Sequence, residues 1–410
     1  MAPLFVTILS TCLAFGAVVT GCPVRESGDQ QYSVDQVKNP NYVANCPKAL
    51  ARAYIKYGAT LPQGLADLVR NNNPNKVKRA DDTGTGTVVT TPEERDVEWL
   101  TPIQIGTPGQ VLKLNLDTGS SDLWVFTNTT QGASQRTSYN PSKSSTSKKL
   151  DGYSFSILYG DGSSSNGDVY LDKVSAGRLS VNNQAVETAN RVSKFDNEPN
   201  VDGLMGLGFG SLNTVRPRKQ KTFFENATPQ LRSPVFTANL RRQRPGTYNF
   251  GYIDNTTYTG NIGYVPIDSS RGWWQFTSSG YAVGTDKIGR TSINGIADTG
   301  TTLLLLPDSV NKAYYAKVSG SSFNSNIHAY TFGCSTQLPT FSFAVGGVTI
   351  TIPGTYLNYG AVTRDGKTCY GSLQPSDNIG LNIFGDIALK AAFVVFDGGQ
   401  NRIGWAKKPL

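Results

Sequence analysis

Asp117 and Asp298 each open an Asp-Thr-Gly triplet that a hydroxyl residue follows, Ser120 after the first and Thr301 after the second. Glycine lets the backbone turn tightly and come close to a neighbour, and threonine carries a hydroxyl on a stiff side chain. Two such turns set face to face would bring their carboxyls too near for both to ionise cheaply, so the pair would keep one proton over a broad pH range. One carboxyl is then a general base and its partner a general acid, the combination that activates a water against a carbonyl carbon. A single triplet would carry little weight, since Asp and Gly are ordinary turn residues.

The surrounding chain supplies two of everything. Asp117-Thr118-Gly119-Ser120-Ser121 recurs as Asp298-Thr299-Gly300-Thr301-Thr302. Each copy follows an apolar stretch and is answered downstream by two apolar residues and a glycine, Leu204-Met205-Gly206 and then Ile383-Phe384-Gly385, at nearly equal intervals. Two lobes of one construction, each lending an aspartate to a shared site, account for this repeat. Beyond residue 95 the texture is of short alternating runs broken by Gly, Asn, Ser and Pro. Leu112–Leu116 and Phe341–Val345 show the period of two that marks half-buried strands. Asp308–Val318 is one of few stretches with helical spacing, so a mainly β protein with a few short helices is predicted.

Length and charge narrow the class. At 410 residues with 38% hydrophobic content the chain exceeds one typical domain, and two lobes are expected, divided between 80–262 and 263–410. The net charge of +8 is concentrated in residues 1–79, which hold nine Lys/Arg against four Asp/Glu, and the small surplus left elsewhere gives no reason to invoke nucleic acid. The apolar run from Leu4 to Val19 is shorter than the ~20 residues that cross a bilayer and reads as a secretory signal over 1–21, although no Lys or Arg precedes it. A polar stretch over 22–79 then ends in Lys78-Arg79, either a solvated linker or a propeptide closing on a site where proteases cut. Secretion to the extracellular space follows from these features, with vacuolar delivery the alternative. Three Asn-X-Ser/Thr triplets, at Asn128, Asn226 and Asn255, are candidate glycosylation sites on that route. Cys334 and Cys369 are left as a pair able to form a disulfide once Cys12 departs with the signal and Cys22 and Cys46 with the propeptide.

Other hydrolytic chemistries lack their parts. His328 is the single histidine and no nucleophile signature accompanies it, which argues against serine or cysteine catalysis. No cluster has metal-ligand spacing, and neither a metal nor another cofactor is called for. No later apolar stretch is long enough to cross a membrane.

The two triplets, together with Tyr159-Gly160-Asp161-Gly162, Asp202-Gly203-Leu204-Met205-Gly206-Leu207-Gly208 and Phe384-Gly385-Asp386, resemble the pepsin-family aspartic endopeptidases, most of all the fungal penicillopepsin- and aspergillopepsin-like members. The likeness covers essentially all of residues 95–410. It implies a bilobal acid-protease fold, a cleft between pseudo-twofold-related lobes, and hydrolysis of polypeptides at acidic pH by a water held between Asp117 and Asp298. By the same resemblance, Thr118 and Thr299 cross-link the two turns, and Ser120 and Thr301 hydrogen-bond the outer carboxylate oxygens. Tyr159 would tip a flap, with Gly160 contacting substrate and Trp124 steadying the tyrosine. Asp161 would favour lysine before the scissile bond, or merely satisfy its own turn. Lys56-Tyr57 matches precursor residues that cover the catalytic pair, against the plainer alternative of a solvated helix lysine. Pepstatin-like inhibitors would bind, and a monomer is implied. The rival is a pepsin-like binding or inhibitor protein without activity, yet such proteins typically lose an Asp or distort its turn.

Overall fold

The computed structural model describes residues 30–39, 45–71, 99–131, 136–158, 164–193, 201–363 and 366–410. The signal segment 1–21, Lys78-Arg79 and the flap residues Tyr159, Gly160 and Asp161 lie outside them.

The repeat seen in the sequence is a repeat of strand pairing. Gln110–Asp117 runs parallel to Gly203–Gly206, with Asp117 opposite Gly206. Leu123–Gln131 runs antiparallel to that same short strand, and Leu179–Ser193 lies parallel along its other side. In the second half Ile293–Ala297 is parallel to Ile383–Phe384, Leu304–Leu306 is antiparallel to it, and Leu373–Pro375 lies parallel beside Leu304–Leu306. The glycines that answer each triplet are therefore next to it in space. At Gly206 a side chain would strike the backbone of Ser121 at 2.5 Å, and at Gly385 the carbonyls of Thr301 and Leu303 at 2.3 Å, so only glycine lets the two stretches pack this closely. These motifs belong to sheets of eight and five strands. The predicted strands and the predicted helix are present as Gln110–Asp117, Phe341–Val345 and Asp308–Tyr315.

A six-stranded sheet joins the halves. Its order is Tyr32–Asp35, Thr247–Phe250, Val235–Asn239, Phe393–Asp397, Arg402–Lys407 and Thr259–Pro266, so it draws on the N-terminal segment, the middle and the C-terminus. Phe393–Asp397 is buried throughout, as expected of a central strand covered on both faces. Phe236 and Phe396 stack at 4.5 Å, and Trp274 meets both edge-on while its indole N–H donates 2.9 Å to the Leu207 carbonyl. Cys334 and Cys369 form a disulfide beside the paired strands Ala329–Gly333 and Thr368–Gly371.

The N-terminal segment packs on the second half. Asn45 caps the helix Cys46–Lys56 by accepting from the Lys48 N–H at 3.0 Å, and Pro47 sits in the first turn where no donor is missed. Leu50, Tyr54 and, from the helix Gln63–Asn71, Leu65 are fully buried against Ile296, Leu305, Ile327 and Ile383. Withdrawing each such side chain costs about 1.5–3 kcal/mol, so the segment is held by apolar packing as well as by charge.

Candidate active site

Both aspartates stand at the ends of core strands whose alternate residues are buried, which carries their carboxyls to the seam between the halves. Asp117 is 1% exposed and Asp298 0%. The two turns interlock symmetrically. The Thr118 N–H donates to Thr299 Oγ1 and the Thr299 N–H to Thr118 Oγ1, each at 3.0 Å. Thr118 Oγ1 donates to the Ala297 carbonyl at 2.8 Å and Thr299 Oγ1 to the Leu116 carbonyl at 2.6 Å. These four bonds are buried, and breaking one strands polar groups with no water to replace it.

Within each turn the glycine N–H holds its own carboxyl, Gly119 to Asp117 Oδ1 at 2.8 Å and Gly300 to Asp298 Oδ1 at 2.9 Å. Each glycine also faces the opposite aspartate. A methyl group on Gly119 would lie 2.5 Å from Asp298 Oδ1, and one on Gly300 would lie 2.3 Å from Asp117 Oδ1. Ser120 Oγ donates to Asp117 Oδ2 at 2.6 Å. The second turn differs, for Asp298 Oδ2 accepts instead from the Tyr57 hydroxyl at 2.6 Å. Thr301 Oγ1 is buried outside hydrogen-bonding geometry, near enough to help hold Asp298 low.

Lys56 enters between the carboxyls from the last turn of its helix. Its Nζ is 2.7 Å from Asp117 Oδ1 and 2.9 Å from each oxygen of Asp298. Burial pulls the ammonium down, but Asp117 and Asp298 outweigh it and hold it above its ordinary value. The carboxyls separate: burial, with the charge of Asp298, pushes Asp117 up to about 6 against the pull of Lys56. Asp298 is lowered to about 2, because Lys56 and hydrogen bonds overcome its burial. Burial, then the two carboxylates, push the Tyr57 hydroxyl well up, so it donates as a neutral phenol.

Trp273 completes the surround, and the sequence reading did not single it out. Its indole N–H donates to the Gly119 carbonyl at 3.2 Å and its ring meets Tyr57 edge-on at 5.8 Å. The tandem Trp273-Trp274 was the only signal, and nothing in it separates the core ring from the one at the site. Trp124 is buried and packs edge-on against Phe126 at 5.3 Å. Of the candidate glycosylation sites, Asn128 and Asn255 are exposed, whereas Asn226 is half-buried and its amide donates to Gln184 Oε1 at 2.8 Å. Among the described residues no group of three or more His, Cys, Asp or Glu is placed to hold a metal ion, and no helix is long and apolar enough to cross a membrane.

Residues 98–408 match the family described as eukaryotic aspartyl protease. Endothiapepsin of Cryphonectria parasitica is 49% identical over 99% of this chain and 100% of its own length. Podosporapepsin of Podospora anserina is 46% identical over 92% and 91%, and penicillopepsin-3 of Penicillium janthinellum 45% identical over 96% and 97%. Among solved structures, the aspartic proteinase from Irpex lacteus superposes with a TM-score of 0.63 at 25% identity, covering 76% of this chain and 94% of that one. The paired turns and these full-length likenesses together make the chain a member of the eukaryotic aspartyl protease family.

Proposed function

We propose that this chain is the zymogen of a secreted aspartic endopeptidase in which Asp117 and Asp298 act as one dyad on internal peptide bonds at acidic pH. The observation that carries the proposal is that both buried carboxyls, each on its own Asp-Thr-Gly turn, lie within 2.9 Å of a single ammonium. Two groups that close share a proton, and a water in place of the ammonium would meet a base on one side and an acid on the other. The ionised partner takes a proton from the water as it attacks the peptide carbonyl, and the protonated partner gives one to the carbonyl oxygen. No covalent intermediate is needed. Polypeptides are the substrates, pepstatin-like compounds inhibit, and Tyr159, Gly160 and Asp161 are assigned to the flap with Trp124 behind them. The lobes are assigned to residues 80–262 and 263–410, and the mature enzyme acts as a monomer outside the cell.

Lys56 and Tyr57 are the inhibitory contacts of a propeptide over 22–79. The lysine occupies the place of the water and its charge lowers both carboxyls relative to an open site. Departure of the segment is therefore accompanied by proton uptake. The docked form keeps its full advantage above the open-site values and loses it as pH falls through about 6 for Asp117 and about 2 for Asp298. Acid thus favours release. Acid-treated protein should hydrolyse denatured protein at about pH 3–5 and be blocked by pepstatin, and Asp117→Asn should lower kcat by about 10³-fold or more with the fold intact. Peptide binding without turnover at any pH would point to the inactive binding protein instead.

A further inference from the structure

A second pair of buried carboxyls lies directly behind the Asp117 turn. Asp122 follows that turn in sequence and Glu187 comes from the strand Leu179–Ser193, and they are 4% and 1% exposed. One amide stands between them: Asn213 Nδ2 lies 2.9 Å from Asp122 Oδ1, 2.9 Å from Glu187 Oε1 and 3.2 Å from the Ser121 carbonyl. Asp122 Oδ1 also accepts from the N–H and hydroxyl of Thr214, at 2.8 and 3.1 Å. Asn213 Oδ1 accepts from the N–H groups of Val215 and Gln220, which fixes which end of the amide faces the carboxyls.

The donors do not suffice for two anions. An amide has two N–H groups, and here three acceptors compete for them. Glu187 Oε2 is buried with no hydrogen-bond partner, which an ionised carboxylate tolerates poorly. A carboxylic O–H between Glu187 and Asp122 supplies the missing donor. We propose that Asp122 and Glu187 share one proton that positions the Asp117 turn, and that its loss as pH rises opens the wall behind that turn.

The electrostatics agree. Burial and then the Asp122 charge push Glu187 well up, while burial raises Asp122 against the Thr214 donors and the positive charge of Lys219. Around Glu187 the flanking strands place Trp124 and Val169 in register, neither of which carries charge. Lys219, exposed on the 213–220 loop, donates to the Ser211 carbonyl rather than to either carboxyl. With the proton gone, two like charges flank one amide in a poorly hydrated place and repel. Asn213 then loses its hold on the Ser121 carbonyl, next to the Ser120 that bonds Asp117. Because the folded-state value of Glu187 is raised, the stabilisation is complete below its unfolded value and fades as pH rises through the folded one. Asp122 and Glu187 are positioning residues here, acting on catalysis only through the dyad proposed above.

The test uses the full chain with Asp117→Asn, which cannot process itself and lacks the titration of Asp117. Its melting temperature should fall between about pH 5 and pH 8, and adding Glu187→Gln should cut that fall to about half or less. Equal pH dependence in the two proteins overturns the proposal. Should Glu187→Gln prevent folding, infrared spectra of the Asp117→Asn protein decide: a protonated-carboxyl band persisting at about pH 7 and shifted or lost on Asp122→Asn supports the shared proton, and absence of the band, or a band that Asp122→Asn leaves unchanged, overturns it. Neither measurement needs turnover. Lack of peptidase activity in the unsubstituted chain would count against the endopeptidase proposal alone.

Discussion

Lys56 does for two carboxyls what a proton does for one of them: it lets them stay close. Its ammonium makes contacts of 2.7–2.9 Å with both aspartates in a place water hardly reaches, where an unpaired charge would be costly. Methionine keeps the length of the side chain and discards the charge. Lys56→Met should therefore let both carboxyls rise toward their open-site values and leave the segment held by apolar packing and Tyr57. Conversion to a shorter form, followed by gel electrophoresis and N-terminal sequencing across about pH 4–7, should move upward by about one pH unit or more. An unchanged conversion profile would mean that Lys56 contributes nothing to latency. The pairing was legible as a residue-type match at Lys56-Tyr57, but a helix lysine has many places to go.

At the scale of elements, the turns matter through what they exchange. Thr118 and Thr299 each give and accept across the seam, so the local spacing of one half is measured against the other. Thr118→Val preserves shape and removes the hydroxyl, stranding the Thr299 N–H and the Ala297 carbonyl. Chemical denaturation should show a loss of about 2–4 kcal/mol, with a larger proportional loss in kcat than in KM for the acid-treated protein. A destabilisation under about 0.5 kcal/mol would show that the crossed bonds are replaceable. The strand containing Asp117 announced itself by alternation, whereas Ile383–Phe384 is only two residues long and carries no periodic signal; its partners define it.

The whole molecule is tied together by the six-stranded sheet and stapled locally by Cys334–Cys369. That disulfide closes a separation of 35 residues entirely within the second half. Replacing both cysteines by serine should cost about 2–4 kcal/mol, seen as a lower denaturation midpoint. The dyad hydrogen bonds lie elsewhere, so the acid-treated protein should still be blocked by pepstatin. Asn239 and Asn249 are buried in this sheet, and nothing in their neighbouring residues marks them as interior. Residues 32–35 join the sheet by pairing with Thr247–Phe250, a union across more than half the chain that no local pattern could announce.

The sequence by itself determined the two halves, the chemistry available to Asp117 and Asp298, and the alternating strands beneath them, because a repeated motif and a period of two are local properties of a chain. It also marked the cysteine pair, by elimination of the others. Tertiary structure alone decided that Tyr57 and not Thr301 bonds Asp298 Oδ2, that Trp273 lines the site while Trp274 fills the core, and that Asn213 bridges Glu187 and Asp122. Each of these depends on distances between residues far apart in the chain. Burial and the charges brought against these carboxyls, which together set their protonation, are properties of the surroundings and are written in no single segment.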